Sequence, residues 1–202
     1  MPRLMLISAA SLAALAFAAC GEKTDVATNA TPAPESTATP AAADHEAAVR
    51  ASQDFVNAAG QAGMVEIQTS EIALKKTKNA DLKKFAQMMI DDHKAAGEAL
   101  KAAASAAALA PPPETLDDFH MRRINDITET DGDKDFDADY INMQVDAHND
   151  AIKLFEDYSK DSNAMAQLKD FADKTMPTLV AHKTEAERVR DLVNKAGNKA
   201  PS

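Results

Sequence analysis

Apolar residues recur along most of this chain at alternating spacings of three and four, the period of an α-helix that buries one face. Leu82, Ala86, Met89, His93, Ala96 and Leu100 form the clearest stripe. Ile141, Val145, His148, Ile152 and Phe155 form a second, and Leu168, Phe171 or Ala172, Thr175, Leu179, His182, Ala186 and Val189 a third. An earlier stretch aligns Phe55, Ala59, Ala62, Glu66, Thr69 and Ala73, with Val56, Gly63, Ile67 and Leu74 on the adjacent row. No segment alternates with the period of two that a strand requires, so the pattern predicts an all-α protein.

Capping and breaking residues set the expected boundaries. Asp44 caps a first helix to about Thr77, and Asn79 caps a second that runs to about Ala108, before Pro111-Pro112-Pro113. Thr115-Leu116-Asp117-Asp118 resembles a capping box opening a short helix through Thr128. A third long helix is expected over Asp135–Ser159, capped by the acidic residues of the turn before it. That turn, from Asp131, has Phe136 and Asn142 where a calcium loop needs glycine and glutamate, so it is not an EF-hand. A fourth helix is expected over Ala164–Ala196, with Gly197 as C-cap and a kink at Pro177 that frees the Asp173 carbonyl. The long link between the second and third long helices makes them parallel. The expected fold is a ferritin-like four-helix bundle with a crossover carrying one short helix.

Composition changes the picture mainly at the N-terminus. Arg3 precedes an apolar run, Leu4 to Ala19, too short to span a bilayer comfortably. The run ends Leu15-Ala16-Phe17-Ala18-Ala19-Cys20-Gly21, which resembles a bacterial lipobox, with Phe17 where a leucine-like residue is usual. Cys20 is the single cysteine and has no internal disulfide partner. The expected layout is a signal peptide over 1–19, a tether over 20–43 from lipidated Cys20, the bundle over 44–197 and a tail over 198–202. The tether is rich in Thr, Ala, Pro, Ser and Glu. With Gly21 and Glu22 after the cysteine, such lipoproteins are usually sorted to the outer membrane, facing the periplasm. The alternative is ordinary signal cleavage and a soluble periplasmic protein. The balance of 32 acidic to 22 basic residues, net −10, argues against nucleic acid and names no protein partner.

The candidate chemistry lies on the stripes themselves. His93, His148 and His182 stand at core positions, one per helix, and Glu66 interrupts the apolar rows of the first. Antiparallel helices face each other at positions averaging to their turn. Glu66 and His93 average to the first turn, and His148 and His182 to Met165 beside the second, so each pair is level within about 5 Å, one helical turn. With the hairpins in register, three imidazoles and one carboxylate meet inside the bundle. That donor set suits Zn, Cu, Ni or Fe(II), with Asp92 as an acceptor behind a ligand N–H. The bland alternative is a buried His–Glu network that fixes helix register without metal. His45 and His120 read as surface or cap residues, and the methionines as core filling.

Catalytic signatures are sparse. Ile90 and Leu179 stand three residues before His93 and His182, so there is no Glu-x-x-His pair of a di-iron carboxylate centre. There is also no Gly-rich phosphate loop and no serine nucleophile context. The leading expectation is a non-enzymatic envelope lipoprotein with an internal metal or polar site. A metal-handling or redox enzyme using the same four residues is a second reading, and an acidic scaffold for a periplasmic partner a third.

Phe55-Val56-Asn57-Ala58-Ala59, Gly63-Met64-Val65-Glu66, Phe85 through His93, Tyr140-Ile141, Leu154-Phe155-Glu156 and Pro177 through His182 together resemble a bacterial exported family, domain of unknown function 4142, of the ferritin-like superfamily. The resemblance covers nearly all of residues 50–185. Ala147 stands where the family usually has an aspartate before the histidine, and the acidic turn replaces small residues. The resemblance implies the fold and an envelope location. It implies no established activity.

Overall fold

The computed structural model describes residues 40–130 and 132–197. The expected signal peptide, Cys20, most of the expected tether, Asp131 and residues 198–202 lie outside the described residues. Five helices follow in order: α1 (Pro40–Lys76), α2 (Ala80–Ala106), α3 (Asp118–Glu129), α4 (Asp133–Lys160) and α5 (Ala166–Gly197). The described residues contain no strand, and no helix among them is long and apolar enough to cross a membrane.

Four helices are long, and they pack as two hairpins, α1 on α2 and α4 on α5. The hairpins join through α2 against α5 and α1 against α4. Two buried hydroxyl pairs fix the α1–α4 register: Ser52 Oγ with the Tyr158 hydroxyl at 2.8 Å, and Ser70 Oγ with the Tyr140 hydroxyl at 2.9 Å. As the α1 number rises the α4 number falls, so these helices are antiparallel.

The link from α2 to α4 runs the length of α1 and is pinned at each stage. Gln53 pairs with both backbone groups of Ala110, at 2.9 and 3.4 Å. Gln61 accepts from the Asp117 N–H and donates to the Thr115 carbonyl. Lys76 Nζ donates to the Thr128 and Thr130 carbonyls at the end of α3, where a cation complements the helix dipole. Between these points Gly60 lets Pro112 approach: a Cβ at residue 60 would lie 2.7 Å from Pro112 Cβ.

The stripes read from the sequence are the buried faces. Leu82, Ala86, Met89, His93 and Leu100 of α2 are buried, as are Ile141, Val145, His148 and Phe155 of α4 and Leu168, Leu179, His182, Ala186 and Val189 of α5. Asn79 caps α2 as expected, its Oδ1 accepting from Asp81 N and Leu82 N.

Several boundaries differ from the expectation. α1 begins at Pro40 and not at Asp44, because a proline followed by three alanines is a good helix start. The cap of α3 is Asp117, not Thr115, since the Asp117 side chain accepts from the His120 N–H at 2.9 Å. α4 is preceded by Gly132 at φ 86 with no side-chain cap, so a glycine turn and not an acidic cap admits the helix. α2 ends at a turn with Ala108 at φ 56, before the prolines, closed by Leu109 N to Ala104 O and Ala108 N to Ser105 O. α5 runs through Pro177. Gly197 is its last residue.

Candidate metal centre

Each of the four long helices delivers one ionisable side chain to the same level of the core. Glu66 of α1 is 2 % exposed, His148 of α4 0 %, His182 of α5 3 % and His93 of α2 7 %. They sit there because they occupy apolar-stripe positions, so the packing that buries Leu82 or Val189 buries them too. The ring centroids are 5.8 Å apart for His93 and His148, and 5.4 Å for each with His182. The four residues singled out from the sequence are therefore neighbours.

The two nitrogens of each ring have different surroundings. His148 Nδ1 lies 2.8 Å from the Gln144 carbonyl, one turn back on α4, and 3.5 Å from Glu66 Oε1. His182 Nε2 is 2.8 Å from Asp92 Oδ2, across the α2–α5 interface. His93 Nδ1 is 3.1 Å from Glu66 Oε2. The remaining nitrogens, His93 Nε2, His148 Nε2 and His182 Nδ1, are buried and have no hydrogen-bond partner. One nitrogen from each of the three rings lies within 4.8 Å of the others. An acceptor beside one nitrogen of a ring favours the tautomer with the proton on that nitrogen and leaves the lone pair on the other.

The electrostatics keep the imidazoles neutral. Burial pushes His93 down to about 4 from its ordinary 6.5. Burial also lowers His148, against the opposing pull of Glu66, and His182, against its hydrogen bond to Asp92. Burial pushes Glu66 up to about 7, countered by His148 and Arg123. Neutral imidazole is the form that binds a metal, so the folded chain holds the three donors ready at neutral pH.

Other candidates fall elsewhere. His45 is exposed, and His120 pairs with Asp117 Oδ1 at 2.7 Å on α3, outside the cluster. Among the methionines Met89 is core, Met64, Met88, Met143, Met165 and Met176 are half-buried, and Met121 is exposed. Sequence reasoning missed Gln144, whose carbonyl orients His148 and whose amide donates to Thr69 Oγ1 at 3.3 Å. Its spacing of four before His148 on the same stripe was the available signal. It also missed Gly97 and the space beside it, which no periodicity reveals.

The structure is thus an all-helical bundle with three buried, partly unpartnered histidines, a geometry that names no reaction. The chain belongs to the family described as "Domain of unknown function (DUF4142)", whose model matches residues 36–189. No curated protein and no solved structure matches the chain.

Proposed function

We propose that this chain is an envelope-anchored, ferritin-like bundle that holds one Zn, Cu, Ni or Fe(II) ion between His93, His148 and His182. The observation that carries the reading is the trio of buried ring nitrogens, each unpartnered and each backed by an acceptor on the opposite side of its ring. Unpaired buried donors or acceptors are costly, and one cation facing all three lone pairs removes that cost at once. The present spread of up to 4.8 Å closes to about 3.4 Å around an ion with Zn–N bonds of about 2.0–2.1 Å, a change within reach of small ring movements. Glu66, a candidate fourth ligand from the sequence, stands at the Nδ1 side of His93 and His148. In this reading it orients His93, as Asp92 orients His182 and the Gln144 carbonyl orients His148, and the fourth position is left for water or another ligand.

The connectivity supports the ferritin-like assignment: α1 and α4 are antiparallel, so α2 and α4 run parallel across the α3 link. The Leu15–Gly21 run supports lipidation at Cys20, which tethers the bundle to the periplasmic side of a membrane. Intact mass of the mature protein tests that anchor: a diacylglyceryl group on Cys20 is expected, and an unmodified start before the tether contradicts it.

A metal-free network is the competing reading, favoured by Glu66 held near pKa 7 between two imidazoles. Metal analysis of the purified protein and its variants separates the two. The metal reading expects close to one ion per chain in wild type, near-complete loss in His93→Ala, His148→Ala or His182→Ala, and partial retention in Glu66→Gln. Metal-free wild type after zinc, copper, nickel and iron loading would leave the network.

A further inference from the structure

Beside the histidine cluster the bundle is not filled. A cleft of about 580 Å³ opens between α1, α2 and the α2–α3 link, and reaches inward to Glu66 and His93. It exists because the facing helices carry residues too small to meet. A Cβ added to Gly97 would find nothing within 4 Å, and Ala62 and Ala96 stand beside it. The inner walls are apolar, formed by Leu100 of α2, Phe155 of α4, and Phe171 and Leu179 of α5.

The rim carries Lys94 and Lys101 against Glu98 and Glu114, two charges of each sign. Lys101 pairs with Glu98 at 3.1 Å and Lys94 with Glu71 at 3.6 Å, so the entrance offers no unpaired lysine to an anionic head group. The polar opening is at the other end. Glu66 lines that end with a side chain almost wholly buried, and its Oε1 has no hydrogen-bond partner, the nearby His148 Nδ1 standing closer to the Gln144 carbonyl, 2.8 against 3.5 Å.

We infer that this cleft binds a neutral, apolar small molecule bearing a single hydroxyl, such as a phenol or an alkyl alcohol. Its body lies against Phe155, Phe171 and Leu179, and its O–H is donated to Glu66. The volume falls in the range of small-molecule sites, roughly 300–1,000 Å³. An ionic ligand would lose hydration against these walls, an anion with no unpaired lysine to receive it and a cation with only Glu66, itself already set between two imidazoles. An ether or alkane of the same shape would leave the buried Glu66 oxygen without a donor. The inference stands apart from the metal reading, since Glu66 and the cleft are present whether or not an ion sits between the histidines.

The test is a calorimetric titration of the chelated, metal-free protein with para-butylphenol and with its methyl ether, para-butylanisole. Stoichiometric binding of the phenol is expected, with the ether weaker by roughly tenfold or more. Gly97→Leu, which fills open space and improves helix propensity, should abolish binding without lowering the melting temperature. Gly97→Ala should keep it, separating the filling of the cleft from any effect on the helix. No binding to wild type overturns the inference. So does undiminished binding to Gly97→Leu, which would put the ligand elsewhere. Equal affinity for the phenol and its ether overturns the role of Glu66. Because metal is absent throughout, a failure here leaves the metal proposal to its own test.

Discussion

On one side of the histidine layer, Tyr140 packs against Phe85 and Phe136 and pairs with Ser70 at 2.9 Å. On the other, Tyr158 stacks on Phe55 at 4.1 Å and pairs with Ser52 at 2.8 Å. Both halves join α1 to α4 by a tyrosine–serine pair inside an aromatic cluster. They differ in what surrounds the pair. The Tyr140 half is closed by Leu82, Met89, Ile141 and Val189, all 0 % exposed. The Tyr158 half borders the cleft, whose walls include Leu100, Phe155 and Phe171. The polar layer lies on the boundary, held by dry packing on one side and approachable from the other. That position suits a site that must be both rigid and reachable.

The comparison is broken most directly by cutting a large side chain from each half. Phe85→Ala should cost about 3–5 kcal/mol in denaturant unfolding, because its dense surroundings cannot collapse into the hole. Leu100→Ala should fall near the low end of such changes, about 2 kcal/mol, since one side of Leu100 already faces the cleft. Equal losses would mean that the two halves are packed alike. Next in size, Tyr140→Phe should cost about 1–3 kcal/mol by leaving Ser70 buried without its partner. Tyr158→Phe should cost at least as much, because its hydroxyl also accepts from the Met165 N–H at 3.0 Å.

The pH dependence of the metal-free protein sharpens what the boundary layer contributes. Above pH 6.5 the histidines are neutral in both folded and unfolded chains and contribute no slope. As pH falls from 6.5 toward 4, the unfolded chain takes up protons that buried His93 refuses, so stability falls; His148 and His182 act in the same direction. Glu66 acts oppositely. Its folded pKa of about 7 against 4.5 means the folded state holds the extra proton between those values, a contribution lost as pH rises through 7. Three histidines against one glutamate leave a net decline in melting temperature toward acid. Glu66→Gln removes the offset and should steepen it. A flat profile in that variant would mean that the imidazoles are not desolvated.

A last contrast, ending on the smallest effect, concerns two glycines near the cleft. Gly60→Ala should destabilise by about 1–3 kcal/mol, as its Cβ would press on Pro112. Gly97→Ala, with open space around it, should stabilise by up to about 1 kcal/mol through helix propensity. Thermal melts of the pair check the contrast.

The helices and the level of the four polar residues were legible because a 3.6-residue period and short turns fix which side chains share a face and a height. Glu66 could be levelled with His93, and His148 with His182, on those grounds; the register of one hairpin on the other, which brings all four together, could not. The choice of ring nitrogen was not legible. It depends on Asp92 reaching His182 across α2 and α5, and on His148 turning back to the Gln144 carbonyl. Both are side-chain torsions that leave no trace in spacing. The cleft was hidden for a related reason: Gly97 and Ala96 read as ordinary helix residues until the distance to the facing helix is known. The cap of α4 was misread because Gly132, flanked by acidic residues, set the turn through its positive φ and not through a side chain.

X-ray absorption at the metal edge of the zinc-loaded protein tests the central claim most directly. The account predicts three imidazole nitrogens at about 2.0–2.1 Å, with multiple-scattering features of the rings, plus a single further ligand such as a water oxygen. A spectrum of oxygen ligands without imidazole scattering, as from loosely held surface zinc, would contradict it.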